Sequence, residues 1–281
     1  MTGISVIRGK IIVITGGARG IGFATATALH QLGAKVAIGD VDEAKLKESG
    51  TALGLDVYGK LDVTAPDSFE AFLDRVEQEL GPIDVLINNA GIMPAGKLIE
   101  EPDQLTRRIL DINVYGVILG SKLAAQRMVR RGTGHIINIA SLAAESPTPG
   151  LATYCASKYA VLGFTDSARM EHRGTGVQFS VVLPTFTNTE LTAGTTGPKV
   201  LRNAEPEDIA AAIVALIAAP KPRVAVTRVA GLLVTSMRFI PKPLAEYTSR
   251  LLGMDHVFLE GVDTDKRKAY EDRARGNNSE I

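Results

Sequence analysis

The chain has 281 residues, of which 45% are hydrophobic and 5% aromatic, and its 31 basic and 31 acidic side chains give a formal net charge of zero. This length and apolar content suit one large α/β domain with a sizeable core, and the balanced charge argues against a nucleic-acid-binding surface. A single cysteine, Cys155, excludes an intrachain disulfide and favours a reducing compartment. The four histidines lack metal-ligand spacing, so we expect no metal site. The first residues lack the pattern of a signal peptide, so we expect a cytoplasmic protein.

The first predicted elements form a strand–loop–helix unit. A β-branched run at residues 11–15 is followed by a glycine-rich loop at residues 16–22 and a helical pattern over residues 21–32. Glycines let a backbone approach a pyrophosphate, and the N–H groups at a helix N-terminus attract it. A second predicted strand, residues 35–39, is followed by Asp40, about where a dinucleotide-binding βαβ unit places its ribose-binding carboxylate. The alternative is a tight turn that only joins strand to helix.

Strands and helices continue to alternate along the chain, as a parallel sheet requires. The remaining predicted strands are residues 54–58, 83–88, 134–140, 177–183 and 223–227, and the remaining predicted helices are residues 43–51, 66–80, 104–131, 153–171 and 206–219. Right-handed crossovers place helices on both faces of such a sheet. We therefore predict an α/β fold, a single doubly wound domain with a seven-stranded parallel sheet. Its ligands should bind beyond the carboxyl ends of the strands.

Tyr154 and Lys158 stand four residues apart in the predicted helix 153–171, so both side chains lie on one helical face. A phenol titrates near pH ~10 and is a poor acid–base group at neutral pH, but an adjacent ammonium favours the phenolate. Such a tyrosine can exchange a proton with an alcohol or carbonyl oxygen. Ser141 follows the predicted fifth strand, where its hydroxyl could hold the same oxygen. Taken alone, a Tyr–Lys pair is also typical of a solvated helix surface.

Together the motifs resemble the short-chain dehydrogenase/reductase family over roughly residues 8–229. The family's glycine motif, T-G-x-x-x-G-x-G, corresponds here to Thr15, Gly16, Gly20 and Gly22, and its N-N-A-G motif to residues 88–91. The resemblance implies a Rossmann fold and an oxidoreductase that uses NAD or NADP. It also implies that Tyr154 is the acid–base group, that Lys158 lowers its pKa and holds the nicotinamide ribose, and that Ser141 orients the substrate oxygen.

The resemblance assigns further residues to the site. It implies that Asn113 supports a water that links the lysine to solvent, although a polar residue in a long helix is also often a satisfied core amide. The residues it assigns to the cofactor are Gly16, Arg19, Gly20, Ile21, Gly22, Asp40, Asp62, Val63, Asn89, Ala90, Gly91, Tyr154, Lys158, Pro184, Thr187 and Thr189. Read as a bare residue, Asp62 is equally plausible as the N-cap of the helix that starts near Pro66.

The choice of cofactor depends on Asp40 and Arg19, which point in opposite directions. A carboxylate after the second strand can accept bonds from both ribose hydroxyls of NAD and repel the 2′-phosphate of NADP. In the family, a basic residue at the position of Arg19 can accompany NADP preference. A desolvated clash of like charges costs more than a flexible exposed arginine contributes. We therefore expect NAD.

The chain departs from the family pattern after residue 183 and again after the last strand. Thr185 replaces the glycine of P-G-x-V-x-T, which restricts the backbone there. We treat residues 1–229 as the catalytic domain and 230–281 as a C-terminal extension, similar to those of actinobacterial members. The apolar part of the extension is too short and too interrupted to span a membrane. A lid or a subunit interface is favoured over an interfacial membrane segment.

The two predicted substrate loops, residues 142–151 and 186–203, are mostly apolar, Thr and Gly, with Glu145 and Arg202 as the notable charges. We therefore expect an NAD-dependent oxidoreductase of a hydrophobic secondary alcohol or ketone, such as a steroid-, terpenoid- or lipid-like compound. The alternatives are an NADPH-dependent ketoreductase, a non-catalytic NAD-binding protein and a peripheral membrane protein. Relatives commonly form dimers or tetramers through their fifth and sixth helices, so a homodimer or homotetramer is expected.

Overall fold

A seven-stranded, all-parallel sheet forms the centre of the computed structural model, which describes residues 2–195, 203–227, 231, 257–259 and 262–276. The strands are β1 (Ile11–Thr15), β2 (Lys35–Asp40), β3 (Val57–Lys60), β4 (Val85–Asn88), β5 (Gly134–Ile139), β6 (Val177–Pro184) and β7 (Arg223–Val226). Their order in the sheet is β3-β2-β1-β4-β5-β6-β7. The doubly wound α/β prediction is therefore confirmed.

Helices cover both faces of this sheet. They are α1 (Thr2–Ile7), α2 (Gly20–Gln31), α3 (Glu43–Leu53), α4 (Pro66–Glu79), α5 (Asp103–Leu110), α6 (Gly116–Arg131), α7 (Ala152–Glu171), α8 (Pro206–Ala218) and α9 (Thr264–Arg275). Successive residues of a strand point to opposite faces, so Ile12 and Ile14 of β1 pack with the α2 and α8 side while Ile11 and Val13 pack with α4 and α6. Burial on both faces explains why the strands are continuous apolar runs.

The order of the strands reverses direction between β1 and β4. The chain winds outward from β1 to β2 and β3, and then returns to place β4 on the other side of β1. In open α/β sheets, ligands bind beyond the carboxyl ends of the strands at such a reversal. This topology therefore brings the loops that follow β1, β4, β5 and β6 to one edge of the sheet.

Predicted and observed boundaries differ most at two elements. The third strand begins at Val57, later than the predicted start at residue 54, because α3 continues to Leu53 and Gly54 ends it with a left-handed φ of 64°. The predicted helix 104–131 is divided into α5 and α6 by one π-helical turn, Asp111–Tyr115. Such turns are rare and are often found at functional sites.

The C-terminal extension contributes α9, which begins after Asp263. The Asp263 carboxylate caps this helix by accepting a 3.1 Å hydrogen bond from the backbone N–H of Lys266. Nearly all of the apolar stretch between residues 229 and 256 lies outside the described residues, apart from Gly231. In the part of the chain that is described, no helix is long and apolar enough to cross a membrane.

Candidate active site

A cleft of about 1200 Å³ lies at the carboxyl ends of the strands. Every residue that the sequence assigned to the cofactor or to catalysis lines it, except Gly22 and Asn113. Gly22 lies behind the glycine loop (residues 16–22), where a Cβ atom would come within 2.2 Å of the carbonyl oxygen of Gly16. Asn113 is fully buried next to the cleft. The fold therefore brings the predicted residues together around one cavity.

The glycine loop has the backbone that a pyrophosphate requires. Gly16 and Gly20 have left-handed φ values of 65° and 54°, which non-glycine residues rarely adopt. Arg19 precedes α2 in an extended conformation and makes no side-chain cap to it. The first backbone N–H groups of α2 therefore have no acceptor within the helix and can bind an anion, as in a dinucleotide site. The loop fits a dinucleotide.

Thr15 and Asn89 tie the glycine loop to the end of β4. The Asn89 amide nitrogen donates to the carbonyl oxygens of Thr15 and Gly16, both at 2.9 Å. The Thr15 hydroxyl accepts the backbone N–H groups of Asn89 and Ala90, both at 3.0 Å. Thr15 was not among the predicted binding residues, although it belongs to the glycine motif. These four hydrogen bonds set the position of the loop without contact to a ligand.

Asp40 and Arg19 lie at the end of the cleft near β2. The Asp40 carboxylate accepts the backbone N–H groups of Ala18 and Asp42, each at 3.2 Å. Burial raises the pKa of Asp40 above its ordinary value, and these two hydrogen bonds and Arg19 oppose the rise. The Arg19 guanidinium forms ion pairs with Asp42 and, at 3.1 Å, with Glu190. Arg19 is therefore held by two carboxylates rather than extended over the site.

Asp62 lines the cleft and does not cap α4. Its carboxylate accepts the backbone N–H and the hydroxyl of Thr64, at 2.9 and 2.7 Å, while Ala65 occupies the N-cap position of α4 without a side-chain bond. The capping interpretation of Asp62 is therefore wrong. Val63 is buried against Gly116, where a Cβ atom would lie 2.8 Å from the valine side chain. The two residues form the wall of the cleft next to β3.

Ser141, Tyr154 and Lys158 meet beyond the carboxyl end of β5. Ser141 begins a short 3₁₀ turn, accepts the backbone N–H of Ala143 at 3.1 Å and hydrogen-bonds to the Tyr154 side chain. One turn of α7 separates Tyr154 from Lys158, whose ammonium group donates a 3.0 Å hydrogen bond to the carbonyl oxygen of Ile139. The predicted helical spacing is thus found on α7.

Burial controls the protonation of this pair. It raises the pKa of Tyr154 to about 12, although the hydrogen bond with Ser141 lowers it in part. It also lowers the pKa of Lys158 to about 8. The net shift of the Tyr154 pKa is upward because burial outweighs the hydrogen bond. The lowering of this pKa by Lys158, which the resemblance implies, stays a prediction. At neutral pH Tyr154 therefore carries its proton and is a donor.

Asn113 lies in the π-helical turn and is completely bonded to its neighbours. Its side-chain oxygen accepts the backbone N–H of Ile92 at 2.8 Å, and its side-chain nitrogen donates to the carbonyl oxygen of Ile92 and the hydroxyl of Ser157 at 2.9 and 3.1 Å. A Cβ atom at Gly91 would lie 3.2 Å from the Asn113 oxygen and 3.6 Å from the Lys158 nitrogen. The amide is therefore a satisfied core group that lies close to Lys158, and its place in a proton relay stays a prediction.

The loop after β6 closes the cleft above the glycine loop. The backbone N–H of Thr185 donates a 2.7 Å hydrogen bond to the carbonyl oxygen of Val226. Among the described residues only glycines have a left-handed φ, so Thr185 does not have one. Threonine therefore replaces the family's glycine here without backbone strain. The Thr187 hydroxyl donates to Thr185 at 2.9 Å, and the methyl group of Thr189 lies 3.5 Å from where a Cβ atom of Gly20 would be.

The C-terminal segment (residues 257–259 and 262–276) lines the same cleft. For the extension as a whole, the sequence analysis favoured a lid or a subunit interface. Phe258, Tyr270 and Ala274 are buried and line the cleft, and Arg267 is also buried. Arg267, Tyr270 and Ala274 recur at intervals of three and four residues, the spacing of one helical face. This was the only signal in the charged tail that could have indicated a buried side of α9.

Apolar side chains surround the reacting groups. The cluster consists of Met93, Leu151, Tyr154, Cys155 and Phe258, with Ala95, Ala143, Phe186, Leu191 and Val257 packed against it. The rings of Phe186 and Phe258 lie 6.1 Å apart between centroids. Of the two charges that the sequence placed in the substrate loops, Glu145 is buried, pairs with Arg223 and does not line the cleft, and Arg202 lies outside the described residues.

Curated relatives share this chain's sequence over most of its length. The probable oxidoreductase EphD of Mycobacterium bovis is 35% identical over 265 residues, a match that covers 86% of this chain and 45% of that protein. The chain thus spans less than half of that mycobacterial relative. The 2,5-dichloro-2,5-cyclohexadiene-1,4-diol dehydrogenase LinX of Sphingobium indicum is 36% identical over 200 residues, which cover 70% of this chain and 80% of LinX.

Solved structures share its fold. A short chain dehydrogenase/reductase from Burkholderia phymatum in complex with NAD is 27% identical, has a TM-score of 0.75 and is matched over 82% of this chain and 92% of that one. A 3-ketoacyl-(acyl-carrier-protein) reductase from Brucella melitensis, complexed with NADH, is 26% identical and has a TM-score of 0.71. That match covers 78% of this chain and 97% of the reductase. The family model described as short chain dehydrogenase matches residues 10–199. The chain therefore belongs to the short-chain dehydrogenase family.

Proposed function

We propose that this chain is an oxidoreductase that transfers hydride between NAD(H) and a hydrophobic secondary alcohol or ketone. The observation that carries the proposal is the meeting of Ser141, Tyr154 and Lys158 in the same cleft as the glycine loop and Asp40. A dinucleotide held by the loop and the end of β2 would extend toward these three side chains. A protein that only binds NAD has no need of them.

In the direction of ketone reduction, Tyr154 donates its proton to the carbonyl oxygen. Its raised pKa keeps that proton available at neutral pH, and the Ser141 hydroxyl can hold the same oxygen. The positive charge of Lys158, 5.6 Å from the centroid of the Tyr154 ring, stabilises the phenolate that remains. Bound NADH supplies the hydride that reaches the carbonyl carbon. In the direction of oxidation the proton returns to Tyr154.

NAD is the proposed cofactor, because the end of β2 is acidic and the nearby Arg19 is already paired with carboxylates. Asp40 and Asp42 lie where the adenosine ribose is expected, and Arg19 is held by Asp42 and Glu190. A 2′-phosphate there would meet carboxylates before it met an uncommitted guanidinium. Both compared structures contain NAD or NADH, which supports the same choice.

A hydrophobic substrate is proposed from the apolar cluster around Tyr154. Met93, Leu151 and Phe258 belong to it, and Phe186 packs against Phe258. The name of the relative LinX gives a chlorinated cyclohexadiene diol as its substrate, a largely apolar ring with hydroxyl groups. Alicyclic alcohols and ketones are therefore the first compounds to examine.

We also infer the role of the C-terminal extension, residues 230–281, which would belong to the substrate site of the catalytic domain 1–229. Its described part lines the cleft through Phe258 and Tyr270, which favours a lid over a membrane-surface segment. As for other members of the family, a homodimer or homotetramer is proposed.

A substrate panel tests the proposed function. The full chain is incubated with hydrophobic alcohols and NAD, and with the matching ketones and NADH, and NADH absorbance is followed. We expect turnover of at least one secondary alcohol–ketone pair, with NAD preferred to NADP. Tight NADH binding without turnover of any compound would instead favour a non-catalytic NAD-binding protein.

A further inference from the structure

Helix α9 places one phenol in the apolar part of the cleft. Tyr270 lines the cleft together with Ser141 and Tyr154, and only 7% of its surface is exposed. Its hydroxyl oxygen accepts the backbone N–H of Met93 at 2.6 Å. Two tyrosines, Tyr154 of α7 and Tyr270 of α9, therefore line one cavity.

The hydrogen bond with Met93 uses Tyr270 as an acceptor, whereas a phenol is both donor and acceptor. Within the residues that the structure describes, the proton of the Tyr270 hydroxyl has no acceptor. Burial raises the pKa of Tyr270 above its ordinary range, so the group keeps this proton at the pH of any ordinary assay. A polar atom of a ligand in the cleft could accept this proton.

The hydroxyl is also held in place. The Arg267 guanidinium lies 5.0 Å from the Tyr270 ring and donates to the carbonyl oxygens of Met93 and Leu191 at 2.5 and 2.7 Å. Glu271 accepts from Arg267 at 2.7 Å and from the backbone N–H of Ala95 at 3.2 Å. These bonds attach α9 to the loops after β4 and β6, on two sides of the cleft.

We propose that Tyr270 determines specificity by donating a hydrogen bond to a second oxygen atom of the substrate. Tyr154 and Ser141 would meet the reacting oxygen, and the side chains packed around Tyr154 are apolar. The preferred substrates would then be hydrophobic alcohols or ketones that carry a further acceptor oxygen away from the reacting carbon. This inference rests on the proposed function, because it concerns the substrate of that same site.

Matched pairs of ring ketones test this directly. Ethylcyclohexanones and methoxycyclohexanones, compared at the same ring position, differ by one CH₂ group replaced with an acceptor oxygen. We expect the wild-type chain to favour the methoxy compound in kcat/KM by about 10-fold or more at one ring position. Tyr270→Phe should bring this ratio close to one. The ratio is insensitive to a general loss of folded enzyme.

Tyr58→Phe is the control. Tyr58 does not line the cleft, and its hydroxyl has one weak contact, 3.4 Å from that of Thr51. Removal of this hydroxyl should leave the preference for the methoxy compound intact. A preference that survives in Tyr270→Phe would overturn the inference, as would a wild-type ratio near one at every ring position.

Calorimetric titration of the same ketones into the chain with oxidised NAD, which cannot reduce them, separates the two proposals. Turnover without a binding preference for the methoxy compound would contradict the role of Tyr270 and leave the proposed function standing. A preference that depends on Tyr270, without turnover of any ketone, would support the role of Tyr270 and contradict the proposed function.

Discussion

The ammonium nitrogen of Lys158 lies 5.6 Å from the centroid of the Tyr154 ring and donates a 3.0 Å hydrogen bond to the carbonyl oxygen of Ile139. This bond to the end of β5 fixes a buried cation one helical turn from the proposed acid–base group. The arrangement depends on the sheet as much as on the helix, because α7 supplies both side chains and β5 supplies the acceptor. It explains how a lysine with a strongly lowered pKa stays in place.

We predict that substitutions of Asp40 and Asp42 have strongly non-additive effects on NADP binding. Asp40→Ser should weaken NAD binding by roughly 10-fold or more, because a charged acceptor for the ribose hydroxyls is lost. On its own it should improve NADP binding only slightly, since Arg19 stays paired with Asp42 and Glu190. Adding Asp42→Asn should leave Arg19 with only its half-exposed partner Glu190. NADP binding should then improve by more than the product of the two single effects.

Fluorescence titration with NADH and NADPH of the parent, the two single variants and the double variant measures this coupling. Asparagine keeps an acceptor for the backbone N–H of Lys45, which Asp42 caps at 3.0 Å, so α3 should be retained. Multiplicative effects of the two substitutions would show that Arg19 is not the group that Asp42 restrains. A parent chain that binds NADP as tightly as NAD would contradict the proposed preference.

The position of α9 should depend on Arg267. Arg267→Met removes a buried guanidinium that donates to the carbonyl oxygens of Met93 and Leu191. Glu271 also loses this donor and keeps only its bonds with Ala95 and Arg275. Bonds of this charged kind contribute about 1.5–3 kcal/mol each. We expect faster proteolysis after residue 227 and a KM for substrate raised by roughly 10-fold.

Lys266→Met is the matched control for this prediction. Lys266 is the neighbouring basic residue, its side chain is 76% exposed, and it pairs with Asp263 at the surface. Exposed pairs of this kind contribute little, so both readouts should stay close to those of the parent. Equal effects of the two substitutions would mean that loss of charge, and not loss of the buried contacts, loosens the helix.

His135 predicts a loss of stability in acid. The imidazole is buried on β5. The Ser180 hydroxyl donates its proton to the backbone carbonyl oxygen of Lys221, so it must accept from Nε2 of His135, which lies 2.8 Å away. Burial lowers the pKa of His135 to about 4. Between pH 6.5 and 4 the unfolded chain therefore binds more protons than the folded one, and stability falls as the pH falls.

The shift of His135 from 6.5 to about 4 corresponds to a loss on the order of 3 kcal/mol across that window. Urea unfolding of the parent and of His135→Gln, measured from pH 7 to pH 4, tests this. Glutamine can still donate to Ser180 but does not titrate. The two curves should converge as the pH falls. Parallel curves would show that His135 has no lowered pKa.

The sequence predicted the sheet and the position of the glycine loop because both depend on local patterns. Buried strands are short apolar runs, and tight loops need glycine. The errors fell where local patterns conflict. Gly54 could begin a strand or end a helix, and only the packing of α3 decides that it ends the helix. The π-helical turn around Asn113 keeps a helical pattern of side chains, so nothing in the sequence marked the change at residue 111.

For the C-terminal extension the sequence favoured a lid or a subunit interface, but it did not indicate which side chains of the charged tail reach the cleft. Arg267 and Tyr270 stand in a tail of charged residues that is typical of a solvated surface. Their burial depends on contacts with Met93 and Leu191, more than 70 residues away in the chain. A charged side chain in such a place satisfies backbone carbonyl groups of loops whose path the sequence does not reveal. The catalytic residues were easier to predict because their spacing on one helix is local.

The most direct test of the proposed function is Tyr154→Phe, measured in two assays on the same preparation. Turnover of the best alcohol–ketone pair should fall by at least the ~10²–10⁴-fold that acid–base catalysis contributes, because the proton donor is lost. NADH affinity should stay within about threefold of the parent, a change of under ~1 kcal/mol, since only the phenolic oxygen is removed. A variant that retained more than about a tenth of the parental rate would contradict the assignment of Tyr154 as the acid–base group.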